Sequence, residues 1–292
     1  MRVVHLTDLH VQVAPRASEL LGKRLLSTAN LYLLGRSSKF SAAAQAAAVA
    51  AAVEAEPDLV IVTGDLTAQA LDREFDAARA LLDPLLSRTP TVIIAGNHDT
   101  YVPEPAPAAR MRAWFAPWMG SGAPHLHRFG EVAVLTLETC RAHVLSSGYA
   151  PPEQIEAAKA LIDGLPPADL PFLFLAIHYP LRGRDGQPYG PFTRALSNAA
   201  EVEAMIAGTD RVGAVLHGHE HHGFRAALPG RAGPVPILNP GASGYSLIPE
   251  MRRTAHLNIY EVERQGIQSL RRLTWTGERF VDEEGGPYAT GR

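Results

Sequence analysis

Val92-Ile93-Ile94-Ala95-Gly96-Asn97-His98-Asp99 is an apolar run that stops abruptly in an amide, an imidazole and a carboxylate. A short apolar run closed by glycine reads as a buried strand. The same arrangement recurs on both sides of it. Upstream, Val3-Val4-His5-Leu6 leads into Asp8-Leu9-His10, and Leu59-Val60-Ile61-Val62 leads into Gly64-Asp65. Downstream, residues 172–177 lead into His178, and Val212-Gly213-Ala214-Val215-Leu216 leads into Gly218-His219-Glu220-His221. Sites in α/β sheets form at the carboxyl ends of the strands. The chain is therefore expected to gather a polar cluster at a sheet rim, and Asp, Asn and His together are the composition of a metal site.

The surrounding chain supports this. Apolar strand-like runs alternate with helical ones, which is the α/β pattern. Ser41 is placed to cap an Ala-rich helix ending before Pro57, and residues 70–87 carry apolar positions at helical spacing. Residues 101–125, with Pro103, Pro105, Pro107, Pro117, Trp114 and Trp118, are expected as an irregular lobe packed by aromatics. Residues 131–137 read as a strand and 152–161 as a helix. Residues 181–197 read as a long loop on the active side, and 198–207 as a helix. From Pro236 onward the pattern turns strand-rich. Residues 1–280 are expected to form a single domain and 281–292 a frayed tail.

Of the 292 residues, 46% are hydrophobic and 20% charged, enough for a substantial core in a globular protein. The formal net charge of −3 gives no bulk attraction to nucleic acid, so none is expected as a partner. Cys140 is the one cysteine, which excludes an intrachain disulfide and suits a reducing compartment. With strand-like residues from Val3 onward, no signal peptide is expected, so the expected location is the cytoplasm. Oligomeric state leaves no trace in the sequence. Residues 18–40 stand outside the alternating pattern, with leucines interleaved with Lys23, Arg24, Arg36 and Lys39. They read either as a helical hairpin packed on the core, or as a basic apolar cap meeting a lipid, a membrane surface or a partner.

Hydrolysis of a phosphoester near neutral pH needs a strong nucleophile and compensation for charge on the transferring group. Two metal ions about 3.5–4 Å apart lower the pKa of a shared water and clamp the phosphoryl oxygens. Such a pair needs a bridging carboxylate and a mixed nitrogen and oxygen shell, which these blocks could supply. In this order they resemble the calcineurin-like metallophosphoesterases, whose pattern runs D-x-H, G-D, G-N-H-[DE], H and G-H-x-H. The match spans Asp8 to His221, with further similarity at Asn239-Pro240-Gly241-Ala242-Ser243.

The resemblance implies a four-layer α/β/β/α sandwich of two mixed sheets with a dimetal site at the strand ends. By position, Asp8, His10, Asp65 and His221 would bind one ion. Asp65, as the bridge, would bind the other with Asn97, His178 and His219. His98 would serve the leaving oxygen as an acid, with Asp99 orienting it. In His217-Gly218-His219-Glu220-His221-His222, the glycine before the family's first histidine selects His219 and His221. His5 reads as a core histidine, and His125, His127 and His256 as structural; Arg141, His143 and His222 are candidate substrate contacts. Tyr179 stands where many relatives carry another histidine.

The implied cofactors are two divalent ions, Mn, Fe or Zn foremost. The implied activity is a phosphodiesterase or pyrophosphatase acting on a small phosphodiester or a nucleotide-lipid. Cyclic-nucleotide phosphodiesterases and UDP-2,3-diacylglucosamine pyrophosphatases are the nearest shapes in the family. A catalytically silent scaffold is the rival, and it should have lost ligands or the acid histidine. Here every position is filled.

Overall fold

The structure is a computed structural model that describes residues 1–19, 37–106, 108–142, 145–166 and 170–290. Its core is two six-stranded sheets packed face to face. The first has the order β12-β11-β10-β1-β2-β3. Its strands are β1 (Arg2–Leu6), β2 (Leu59–Val62), β3 (Thr91–Ile93), β10 (His256–Glu263), β11 (Gly266–Trp275) and β12 (Phe280–Asp282). The second has the order β4-β5-β6-β7-β9-β8. It is built from β4 (His125–Phe129), β5 (Val132–Thr136), β6 (Phe172–Ala176), β7 (Val212–Leu216), β8 (Phe224–Leu228) and β9 (Val235–Asn239).

Side chains alternate across each strand, and the alternation sets the layers. Val3, Leu59, Ile61 and Val92 of the first sheet meet Val134, Phe174, Ala214 and Leu216 of the second in a shared inner core. Val4, Leu6, Val60 and Val62 point the other way, onto helices α1 (Ala42–Glu54), α2 (Asp72–Leu86) and α3 (Ala109–Met119). Leu135, Leu173 and Leu175 do the same for α4 (Pro152–Asp163) and α5 (Ala199–Ala207). The result is the expected α/β/β/α sandwich. Because β1, β2 and β3 are mutually parallel, and β5, β6 and β7 likewise, the ends of the strands that carry the polar blocks fall on one rim.

Ser41 caps α1 as expected, its hydroxyl accepting from the backbone N–H of Ala44 at 3.4 Å. Two expectations are corrected. Residues 109–119, within the stretch expected to be irregular, form a regular helix. Met111, Phe115 and Met119 recur every four residues and are buried, while the prolines cluster before the helix and in its last turn. Trp114 stacks on Phe75 with ring centroids 5.2 Å apart. The carboxyl end is no frayed tail through residue 290. β12 pairs with β11, and Glu283 forms a fully buried ion pair with Arg272 at 2.8 Å. Of the insert at 18–40, residues 20–36 lie outside the described residues. Phe40, at its end, bridges to Tyr245 and packs against His10, ring centroids 4.2 Å apart.

Candidate metal centre

The polar residues do not continue their strands; they turn. Asp8, His10, Asp65 and His219 all have left-handed backbone, with φ of 51°, 50°, 55° and 68°. For a non-glycine residue that conformation costs about 1–3 kcal/mol and persists only where neighbours enforce it. Here the turns enforce one another. Asp8 N–H donates to the Gly64 carbonyl at 3.0 Å, His10 N–H to the Asp65 carbonyl at 2.9 Å, and Gly218 N–H to the His178 carbonyl at 3.1 Å. Two glycines make the approach feasible. A Cβ on Gly96 would lie 2.1 Å from Asp65 Oδ1, and one on Gly218 would lie 1.9 Å from Thr7 Oγ1.

Two ligand sets result, and they overlap at one atom. In the first, Asp8, His10, Asp65 and His221 each present a donor atom, all within 4.8 Å of one another. Asp65 Oδ2 is 3.4 Å from His10 Nε2, and Asp8 Oδ1 is 3.6 Å from His221 Nε2. In the second, Asn97 Oδ1 lies 3.1 Å from His178 Nε2 and 2.8 Å from His219 Nδ1. The same Asp65 Oδ2 is 3.5 Å from His178 Nε2. The seven residues expected as ligands are thus brought together in the expected two groups.

The donor set fits cations. His10 Nε2 and His221 Nε2 face each other at 3.2 Å. Asp8 Oδ1 is buried and accepts no hydrogen bond among the described residues. Around a cation with bonds of roughly 2.1 Å, neighbouring ligand atoms lie roughly 3–3.4 Å apart, close to these separations. Two of these side chains are held through their other atoms. Asp8 Oδ2 accepts from Thr7 Oγ1 at 2.8 Å and His219 N–H at 3.1 Å, and His178 Nδ1 donates to the Thr63 carbonyl at 2.7 Å.

Charge is polarised accordingly. Burial opposes a charged Asp65, but His178 and His98 beside it outweigh that and hold its carboxyl well below the usual range. Burial likewise disfavours a charged His178, yet Asp65 and Asp8 raise it to about 9. His219 moves the other way, since burial and the nearby His178 push it well down and keep its ring neutral. An imidazole must be deprotonated at the nitrogen that binds a metal.

His98 lies beside this centre, its backbone N–H donating to Asp65 Oδ1 at 2.8 Å. Its orientation differs from the expected one. The ring Nδ1 donates to the Ala68 carbonyl at 2.7 Å, while the Asp99 carboxylate is taken up by backbone. Asp99 accepts from the N–H groups of Leu66, Thr67 and Gly96 at 3.2, 2.9 and 2.9 Å, and from the Thr67 hydroxyl at 2.9 Å. It clips the Gly64 turn to the Gly96 turn.

The centre opens into a cleft of about 370 Å³ whose lining includes Asp65, Asn97, His98, His219 and His221. Three cations at its mouth, Lys39, Arg194 and Arg253, were not singled out as site residues in the sequence. Each sits in a connecting segment without a motif, although Arg194 belongs to the stretch read as an active-side loop and Lys39 to the insert read as a hairpin or a basic cap. Of the candidate substrate contacts, Arg141 faces a different groove beside Pro103 and Cys140, and lies over the Tyr149 ring at 5.1 Å. His222 lines a neighbouring cavity, and His143 lies outside the described residues. His5 is buried between the sheets with Thr63 Oγ1 at 2.8 Å, as expected of a core histidine, and burial lowers it to about 3.

A family model described as calcineurin-like phosphoesterase matches residues 1–223. No match to a curated protein was found. Among solved structures, the chain is similar to a purple acid phosphatase from yellow lupin (Lupinus luteus) seeds, at a TM-score of 0.63 and 13% identity. That match covers 96% of this chain and 52% of the lupin chain, so this chain spans about half the lupin enzyme's length. A dimetal phosphatase from Danio rerio matches at a TM-score of 0.57 and 12% identity, covering 96% of this chain and 98% of that one. A 5'-nucleotidase precursor from Thermus thermophilus matches at 0.53 and 11%, covering 98% and 55%. At these identities the likeness shows the fold.

Proposed function

Because the chain belongs to the calcineurin-like phosphoesterase family, we propose that it is a metal-dependent phosphohydrolase of the phosphodiesterase or pyrophosphatase type. The observation that carries this reading is the position of Asp65 Oδ2, shared by two ligand sets and opening into a cleft rimmed by Lys39, Arg194 and Arg253. A scaffold would have no use for a complete donor set beneath a rim of three cations. Asp8, His10, Asp65 and His221 would hold one divalent ion, and Asp65, Asn97, His178 and His219 a second. When bound, such a pair supplies an activated water and neutralises charge on phosphorus.

The rest falls to the chain. Lys39, Arg194 and Arg253 would draw the phosphoryl oxygens into the cleft. His98, with Nδ1 committed to Ala68, would deliver a proton from Nε2 to the leaving oxygen. Leu145, next to Ser146 of the cleft, and Met251, in the lining of its neighbour cavity, are exposed apolar side chains, which favours an amphiphilic substrate such as a nucleotide-lipid over a cyclic nucleotide.

The test is hydrolysis of bis(p-nitrophenyl) phosphate and p-nitrophenyl phosphate by protein loaded with Mn, Fe or Zn. Faster turnover of the diester, abolished by a chelator and restored by metal, is expected. Preference for the monoester would refute the diesterase reading, and inactivity on both with every metal would refute the enzyme.

A further inference from the structure

A second cavity, of about 460 Å³, is lined by residues consecutive with those of the cleft. Successive residues serve alternate sides. His219 and His221 line the cleft, whereas Glu220 and His222 line the second cavity; Arg253 lines the cleft and Arg252 the second cavity. The loop at 181–197 gives Arg194 to one and Arg184 to the other.

The second cavity is electropositive in a way the fold does not consume. Glu220, the carboxylate in its lining, is already engaged by the Tyr189 hydroxyl and by Arg194 at 3.4 Å. Arg184 makes a single long bond, 3.4 Å to the Gly223 carbonyl. Among the described residues neither Arg184 nor Arg252 has a carboxylate partner, and both are exposed. The same cavity is lined by the buried Phe224 and the exposed Met251.

We propose that this cavity is a second anion subsite, taking a phosphate carried on a ring of the substrate whose scissile phosphorus sits at Asp65. Arg184 and Arg252 grip the phosphate, since planar guanidinium forks match its oxygens. Phe224 and Met251 pack the connecting ring. The inference rests on the cleft being a phosphoester site, and it names the substrate as one bearing two separate phosphates.

Isothermal titration of the Mn-loaded protein with thymidine 3′,5′-bisphosphate and thymidine 5′-monophosphate tests it, because the pair differs only in the distal phosphate. Wild type is expected to bind the bisphosphate about tenfold more tightly, the equivalent of one good charge-assisted contact. The Arg184→Gln/Arg252→Gln protein should lose that preference while binding the monophosphate as before and melting at the wild-type temperature. Equal affinities in the wild type, or a preference that survives in the double variant, would overturn the subsite. The binding readout stands apart from turnover. A preference lost in the variant, in a protein that hydrolyses no diester, would leave the subsite standing and remove only the catalytic reading.

Discussion

His98 Nδ1 meets the carbonyl oxygen of Ala68 at 2.7 Å. The ring next to the metal centre is therefore oriented by the backbone that follows Asp65, and not by the carboxylate next to it in sequence. Since a carbonyl can only accept, Nδ1 carries a proton in this contact, and Nε2 is the atom through which His98 would exchange a proton with substrate.

His98→Ala should accordingly leave both metals bound and depress turnover. Positioned general acids typically contribute 10²–10⁴-fold, and a loss of about that size is expected. It should be larger for an alkyl diester than for a nitrophenyl one, whose leaving group needs no proton. Parallel metal analysis and kinetics on the two substrates check it, and wild-type rates on the alkyl diester would end the assignment.

Asp99 should behave as a structural clip. Its carboxylate accepts from three backbone N–H groups that join the Gly64 and Gly96 turns. Each buried donor left unsatisfied costs about 1–3 kcal/mol, so Asp99→Ala should lower the unfolding free energy by roughly 3 kcal/mol or more. Denaturant titration distinguishes this from an orienting role, which would slow turnover at unchanged stability.

Asp65→Ala should lower occupancy at both ions, because one oxygen serves both ligand sets. Asn97 touches only the set containing His178 and His219, so Asn97→Ala should chiefly empty that one. Elemental analysis of the purified variants gives the stoichiometry, and two full metals in the Asp65 variant would exclude the bridging assignment.

The rim is legible in the sequence because each expected ligand stands one to five residues past a mostly apolar run, a local pattern that survives without tertiary information. The sequence places Lys39 in an insert read as a hairpin or a basic cap and Arg194 in an active-side loop, but marks neither of them, nor Arg253, as a cleft residue. They reach the cleft from connecting segments remote in sequence. Asp99 shows the same limit at short range. Adjacency to His98 suggested a pair, but the turn at Gly96 points the carboxylate toward Leu66 and Thr67 instead. In the helix at 109–119 the prolines and aromatics mask a helical period carried by Met111, Phe115 and Met119.

The carboxyl-terminal residues show the same limit, and Glu283 offers the sharpest test. Glycines at 285, 286 and 291 suggested fraying, yet Glu283 is buried against Arg272 and receives N–H groups from Tyr288 at 2.7 Å and Thr290 at 3.1 Å. Removing one partner of a buried pair typically costs about 3–5 kcal/mol, because the other charge is left uncompensated. Glu283→Ala should lose stability of that order. Burial works against the Glu283 charge, but the Thr290 hydroxyl and Arg272 hold its carboxyl below its ordinary 4.5. The folded state thus binds fewer protons than the unfolded state in that range, so acid favours unfolding. The contribution is fully present above about 4.5 and is lost as pH falls through the lowered folded value. Thermal melts of wild type and Glu283→Ala should differ by a constant gap from pH 5 to 7 that narrows below about 4.5. A gap independent of acid would show that the ion pair does not hold the chain end in place.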